Sequence, residues 1–328
     1  QLSRTIEDSL EKSLSYERPL KVKVRLLNKQ TGKAIEQEVF LGDLPEMTPR
    51  GTFIINGIER CVITQIVRAP GAYFSGEVDP HTGRTLYMGE IRPMKGSWLE
   101  FLMGRNDVVS VRVDRRRKFP ATVLLRAFGL STDEEIYKAF SGLDEKGHSI
   151  LEKTIKYDPT KTKEEALIEL YKKLRPGEPA ILENAHEFIK NLFWNNRRYD
   201  LSKVGRYKIN KRLGLEFSNT TENWTLKVQD LVKIVTYLIN LQNGRGEIDD
   251  IDNLSNRRVR RVGELVLQTA VRIGLLRLER MIKERMALMS TDERFQPSAL
   301  INARPLISSI NEFYRQGQLS QILDQTNP

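Results

Sequence analysis

The residues best equipped for chemistry are arginines. Arg112, Arg115, Arg116, Arg117 and Lys118 lie close together around Asp114, and Arg257, Arg258, Arg260 and Arg261 form a second cluster directly after an acidic loop. A planar guanidinium donates hydrogen bonds in pairs, which suits phosphate oxygens and the edges of bases. Tyr73, Phe74, Tyr87 and Trp98 add ring faces on which an unpaired base can stack. The competing reading is two solvated faces laced with ion pairs, with Asp114 and Asp252 as partners. Composition alone does not choose between the two.

Other reactive types are sparse. Asp249, Asp250 and Asp252 could attract a divalent cation. The run lacks the glycine and late glutamate of a calcium loop, the twelfth position from Asp250 being Arg261. A solvated acidic loop is the expectation, and no metal site. Cys61 falls in an apolar alternating stretch and reads as a buried, inert thiol. His81, His148 and His186 are scattered, and His186, within a helical pattern, reads as structural. No phosphate-binding loop, dinucleotide fingerprint, HExxH or G-x-S-x-G pattern occurs. Nothing resembles a self-contained active site.

The chain has 328 residues, 39% of them apolar, which is enough for two or three domains. Lys and Arg number 53 against 43 Asp and Glu, a formal charge of +10. A single cysteine excludes a disulfide framework. No apolar run is long enough for a membrane span, and QLSRTIEDSLEK is not a signal peptide, so a cytoplasmic location without membrane contact is expected. Gln1 at one end and Asn327-Pro328 at the other read as the ends of a piece of a longer polypeptide.

The elements that must carry these groups are mixed. RPLKVKVRLL and AIEQEVF alternate as two strands of a hairpin across 18–40. Short strands are expected over Thr52–Asn56 and Cys61–Val67, with a turn at Asn56-Gly57. Strands follow within 84–102 and 107–114, then a helix over Pro120–Phe128. From about 132 apolar spacings of three and four predict helices in EEIYKAF, KEEALIELYKKL and NAHEFIKNLFW, with LRPGEP as a breaker. YDLSKVGRYKINKRLGLEF reads as turn-rich and basic. Lys227–Leu241 is helical, 242–256 a loop, and Val262–Leu288 one long helix burying Val271, Leu275, Leu278 and Ile282. A last helix lies near Pro305–Arg315. The fold class is mixed α/β, without regular βαβ alternation.

GTFIINGIERCVITQIVRAPG, RPMKGSWLEF, VRVDRRRKFPAT, LRPGEP, YDLSKVGRYKIN, DDIDNLSNRRVRRVGE and SQILDQTNP, in that order, resemble the β subunit of bacterial-type DNA-directed RNA polymerase. The likeness covers Leu20 to Pro328. It implies an amino-terminal portion of that subunit: a protrusion, residues 1–58 plus 262–328, with a lobe, 62–255, inserted into it. The family's catalytic Mg²⁺ is held by aspartates of β′, so no catalytic residue and no cofactor is expected in this stretch. The whole assembly is a nucleotidyltransferase whose partners are DNA, nascent RNA, the subunits β′, α and ω, and a sigma factor. Such a protein works in the bacterial nucleoid or in a plastid.

Three groups of site residues follow from the resemblance. Arg68, Asp252 and Arg257 match a pocket for a flipped guanine of the non-template strand, with Trp98 stacking on the preceding base and Asp114 and Arg115 beside it. An Asp accepts from guanine N1 and N2 while Arg donates to O6 and N7. Gln318, Leu319, Ser320, Gln321, Asp324 and Asn327, with Arg60 and Ile63, match the RNA path where rifamycins bind, Ile322 replacing the commoner aromatic. Ala34, Ile35 and Glu36 correspond to the family's Ile-Lys-Glu on the edge strand that receives the transcription-repair coupling translocase and CarD-type regulators by strand addition, with the central Lys replaced and the first apolar anchor reduced to Ala.

Overall fold

The computed structural model describes residues 5–28, 32–288 and 296–323. The chain divides into two compact units, Gln1–Val67 with Val259–Pro328, and Arg68–Arg258. In the first, helix α1 (Ile6–Glu11) precedes the long strands β1 (Glu17–Leu27) and β2 (Ala34–Pro45), which pair antiparallel with a bulge at Leu20/Lys21. Strands β3 (Phe53–Ile55) and β4 (Ile58–Val62) form a hairpin. Its two-residue turn places Asn56 and Gly57 at φ 53° and 76°, the positive values that favour Asn-Gly here. The outgoing strand β5 (Gln65–Arg68) pairs with the returning β11 described below.

The second unit begins with an antiparallel sheet. Strands β6 (Gly71–Val78), β7 (Thr85–Arg92), β8 (Leu99–Met103), β9 (Val109–Val113) and the two-residue β10 (Phe119–Pro120) pair in succession. Helices α2 (Ala121–Ala127), α3 (Asp133–Ala139), α4 (Glu145–Lys156), α5 (Lys163–Leu174), α6 (Leu182–Ile189), α7 (Ser202–Leu213) and α8 (Val228–Gln242) follow. Period two along the strands sends Phe74, Ile91, Leu99, Phe101, Val111 and Val113 to one face, where they are buried with Ile234, Leu238 and other helix residues in one core. Thr132 starts α3 through a full capping box with Glu135.

Strand β11 (Arg257–Arg260) leads back to the first unit. There α9 (Val262–Val266), a π-helical turn at Leu267–Val271 and α10 (Arg272–Leu288) run on, followed by α11 (Pro297–Leu300), α12 (Arg304–Gln316) and β12 (Ser320–Ile322). Leu41, Phe53, Val62, Leu278, Ile310 and Tyr314 share its core. Gly274 lets α10 meet α12, since a Cβ there would stand 2.8 Å from the Leu306 Cα.

Several expectations are corrected. Cys61–Val67 is not one strand. β4 ends at Val62, where the chain leaves the ladder shared with β3 and β12 to join β11. The stretch read as turn-rich holds α7, ended by Gly214 at φ 63°; its Ser, Gly and Asn positions hide a helix that buries Arg206, Ile209 and Leu213. Leu275 is exposed, because the π turn rotates the following helix and Gly274 takes the inward position with Leu278. Cys61 is half-buried. His186 lies on the exposed side of α6. Among the described residues no helix is long and apolar enough to cross a membrane.

Candidate nucleic-acid interface

The same alternation that builds the core of the second unit builds a polar row on the other face of its sheet. Tyr73 stands opposite Glu90, Glu90 opposite Glu100, and Glu100 opposite Arg112. Glu90 is only 3% exposed, and it is clasped by Arg68 and Arg92. A carboxylate that deep persists because paired guanidinium groups offset its lost hydration. Arg92 lies 4.4 Å over the Trp98 ring and Arg115 lies 5.3 Å from it. Arg68 and the Lys208 ammonium flank the Tyr73 ring at 5.8 and 5.5 Å. Burial pushes the Tyr73 hydroxyl up to about 12 and draws the Lys208 ammonium down.

Asp114 does not pair with the arginines around it. Its carboxylate accepts the Trp98 backbone N–H at 3.0 Å, and its own N–H donates to the Trp98 carbonyl at 3.2 Å. The turn it heads has Asp114 and Arg115 at φ 48° and 59°, left-handed values that cost a non-glycine residue about 1–3 kcal/mol. The two bonds to Trp98 hold this turn, and with it they set Arg115 beside the indole. Arg116 donates to the Leu174 carbonyl of α5.

The acidic loop is tied down at the opposite edge of the sheet. Asp249 accepts the Phe74 N–H at 2.8 Å and an Arg212 N–H at 3.1 Å, so it serves the fold. Lys208 donates to the Ser255 carbonyl at 2.7 Å, and Asn256 donates through its amide to Asp250 at 2.8 Å. The loop so fixed presents Asp252 and Arg257, which pair with each other. The Asp252 side chain is 85% exposed and that of Arg257 35% exposed. The Ala69 N–H donates to the Asn256 carbonyl at 2.9 Å, setting the residue after Arg68 beside the residue before Arg257.

All of Arg68, Trp98, Asp114, Arg115, Asp252 and Arg257 therefore belong to one unit and to two connected groups of contacts. Arg68 reaches Trp98 through Glu90 and Arg92, and adjoins Arg257 through the Ala69–Asn256 bond. Glu90, Arg92, Lys208 and Arg212 escaped the sequence reading. Strand parity was the available signal, since Glu90 and Glu100 fall on the face opposite Ile91 and Phe101.

In the first unit, β12 pairs with β4, placing Ser320, Gln321 and Ile322 opposite Val62, Cys61 and Arg60. Arg60 donates to the Ser320 carbonyl at 3.3 Å, and the Ile63 N–H donates to the Leu319 carbonyl at 2.8 Å. Gln318 and Gln321 are exposed, whereas Ser320 is buried and donates to the Tyr314 carbonyl at 2.6 Å. Asp324 and Asn327 lie outside the described residues. Ala34, Ile35 and Glu36 open β2 opposite Leu27, Leu26 and Arg25, and all three are exposed. Among the described residues no cluster of His, Cys, Asp or Glu is placed to hold a metal.

A sheet whose outer face gathers arginines around aromatic rings, with a mixed Asp/Arg pair at one edge, is the arrangement expected of a polyanion-reading module. Residues 68–260 match the family RNA polymerase Rpb2, domain 2, and the chain belongs to that family. It is 48% identical over 324 residues to the DNA-directed RNA polymerase subunit beta of Synechocystis sp., covering 98% of this chain. It is 48% identical to that of Trichodesmium erythraeum and 49% to that of Nostoc sp., covering 99% of this chain in each case. The chain spans 28% of the length of these relatives.

Proposed function

We propose that this chain is the lobe and protrusion portion of the β subunit of a DNA-directed RNA polymerase, and that its outer sheet face grips bubble DNA. The observation that carries the reading is the linked arrangement of Arg68, Glu90, Arg92, Trp98 and Arg115 beside the exposed Asp252–Arg257 pair. Asp252 offers its carboxylate to guanine N1 and N2, and Arg257 its spare donors to O6 and N7. The indole N–H of Trp98 is buried without an acceptor among the described residues, so it is the partly exposed ring, not the N–H, that is offered to a base. Drawing a base from the stack costs a few kcal/mol unless the strand is already melted. Arg68 and Arg92, already spent on Glu90, fix Trp98 and Tyr73 rather than read sequence.

On this reading the lobe is 62–255 and the protrusion 1–58 plus 262–328. Arg60, Ile63 and Gln318–Gln321 line the RNA path and the rifamycin pocket, together with Asp324 and Asn327. The nucleotidyl transfer is carried out by the whole polymerase in the bacterial cytoplasm or a plastid. Its Mg²⁺ is held by β′, and α, ω and a sigma factor complete the assembly. The test is fluorescence anisotropy of the chain on forked DNA with an unpaired guanine, over a salt series. Affinity should fall with salt, as each neutralised phosphate adds to the slope, and should weaken when guanine is replaced by thymine. Equal binding of both bases sinks the guanine assignment.

A second reading is supported by the β1–β2 ribbon, a two-stranded sheet with Ile35 45% exposed. Here the chain is mainly a docking platform, with Ala34–Glu36 receiving a translocase or CarD-type partner by strand addition. Amide exchange separates the two. A protein partner protects the amides of β2, whereas DNA protects the arginine clusters.

A further inference from the structure

A second basic feature of the Arg68–Arg258 unit starts at Arg112, the far end of the polar row, and extends past Lys118 to α4 and α5. A groove of about 790 Å³ is lined by Leu102, Arg112, Lys118, Tyr157, Glu169 and Lys173, among others. Its cations outnumber its one carboxylate. Arg105 at its margin is turned to Asp79 at 2.7 Å, and Lys173 is turned to Glu169 at 3.3 Å. Arg112 and Lys118 have no ion pair or side-chain hydrogen bond among the described residues. The ladder explains their closeness. Val111 pairs with Phe119, the first residue of β10, so Lys118 enters the ladder beside Arg112 and both line the groove. Like charges held close together destabilise a site unless something neutralises them. On its other side Arg112 faces Glu100, which is 8% exposed and already lies 3.9 Å from Arg115. Tyr157, at the end of α4, is 71% exposed and stands in the same lining.

An open cleft with two neighbouring cations that make no ion pair among the described residues, and one exposed aromatic residue, fits a phosphate joined to a planar base. We propose that this groove binds a phosphate-bearing ligand, the phosphate between Arg112 and Lys118 and the base against Tyr157. The phosphate belongs either to a free nucleotide or to a nucleic-acid backbone. The inference does not rest on the guanine reading, because none of its residues takes part there.

The test is isothermal titration of the whole 328-residue chain at low salt with inorganic phosphate, ATP and a short oligothymidylate. The double variant Arg112→Gln, Lys118→Gln should weaken ATP and phosphate at least tenfold. Tyr157→Ala should weaken ATP roughly tenfold and leave phosphate unchanged. Trp98→Ala should weaken only the oligothymidylate, whose bases it stacks, and leave ATP and phosphate as in the parent, so a failed guanine pocket and a failed groove give different patterns. Thermal melting checks the fold, and Lys118→Glu at an exposed position replaces the double variant if that one melts early. Tighter ATP than oligothymidylate identifies a nucleotide site; the reverse order with a steep salt slope identifies a strand path through the groove only where the double variant abolishes it, and otherwise overturns the proposal. The proposal is overturned if the parent chain takes up none of the probes, or if the double variant and Lys118→Glu bind like the parent.

Discussion

Two sets of arginines in the Arg68–Arg258 unit show how one residue type serves two ends. Arg206 and Arg126 are fully buried. Arg206 donates to both Asp230 oxygens, at 2.7 and 3.1 Å, and to the carbonyls of Asn223 and Thr225. Arg126 likewise reaches Asp158, Asp133 and the carbonyls of Ser131 and Lys161. A guanidinium removed from water must spend its donors on fixed acceptors. Two arginines near the sheet's outer face are only partly spent. Arg115 is 71% exposed with one carboxylate at 3.9 Å, and Arg257 makes one ion pair and one backbone bond. Saturated arginines hold the fold, while those with donors to spare are available to a ligand. Sequence position does not separate the two sets, but burial does.

The contrast is sharpest at Arg206. Arg206→Ala leaves Asp230 buried and unpaired, and should cost about 3–5 kcal/mol in chemical denaturation; a loss under about 1 kcal/mol breaks the distinction. Tyr73, buried under Arg68, comes next. Its hydroxyl titrates near 10.0 when unfolded and about 12 in the fold. Between those values the unfolded chain has released the proton and the folded chain has not, so rising pH favours unfolding. Roughly 2–3 kcal/mol should be lost across that window. Urea melts of the parent and of Tyr73→Phe should differ in slope there and run parallel below pH 9.

The partly spent arginines should behave in the opposite way. Arg257→Ala should reduce the preference for guanine over thymine by about 1–3 kcal/mol in anisotropy, while stability changes by no more than about 1 kcal/mol. Losing stability and keeping the preference would place Arg257 with the buried set. The smallest effect is expected at Arg115→Ala. Its long, exposed pair with Glu100 should contribute under about 0.5 kcal/mol to stability, so any larger change would have to appear in DNA binding.

Much of the architecture was legible in local pattern. The β1–β2 pair, the Asn56-Gly57 turn, the breaker between α5 and α6, α8 and α12 follow from alternation, turn chemistry and helical spacing. What escaped depends on distant partners. β4 and β5 separate because β12 and β11, far along the chain, claim them in turn. α7 is hidden by its turn-forming residues, yet Arg206 finds Asp230 and the helix buries Ile209 and Leu213. Leu275 points outward because a π turn, invisible in apolar spacing, shifts the phase of the helix after it.

The sequence by itself determined the family, the two arginine clusters, and the strand parity that puts Glu90, Glu100 and Arg112 on one face. These are local or cumulative properties, set by residue type and by periods of two and 3.6. Only the tertiary structure decided that Asp249 serves the fold while Asp252 faces solvent. It alone gave Arg68 to Glu90, and left Arg112 and Lys118 in one groove without an ion pair among the described residues. Those outcomes turn on which groups are removed from water together, and a linear order of residues does not contain that.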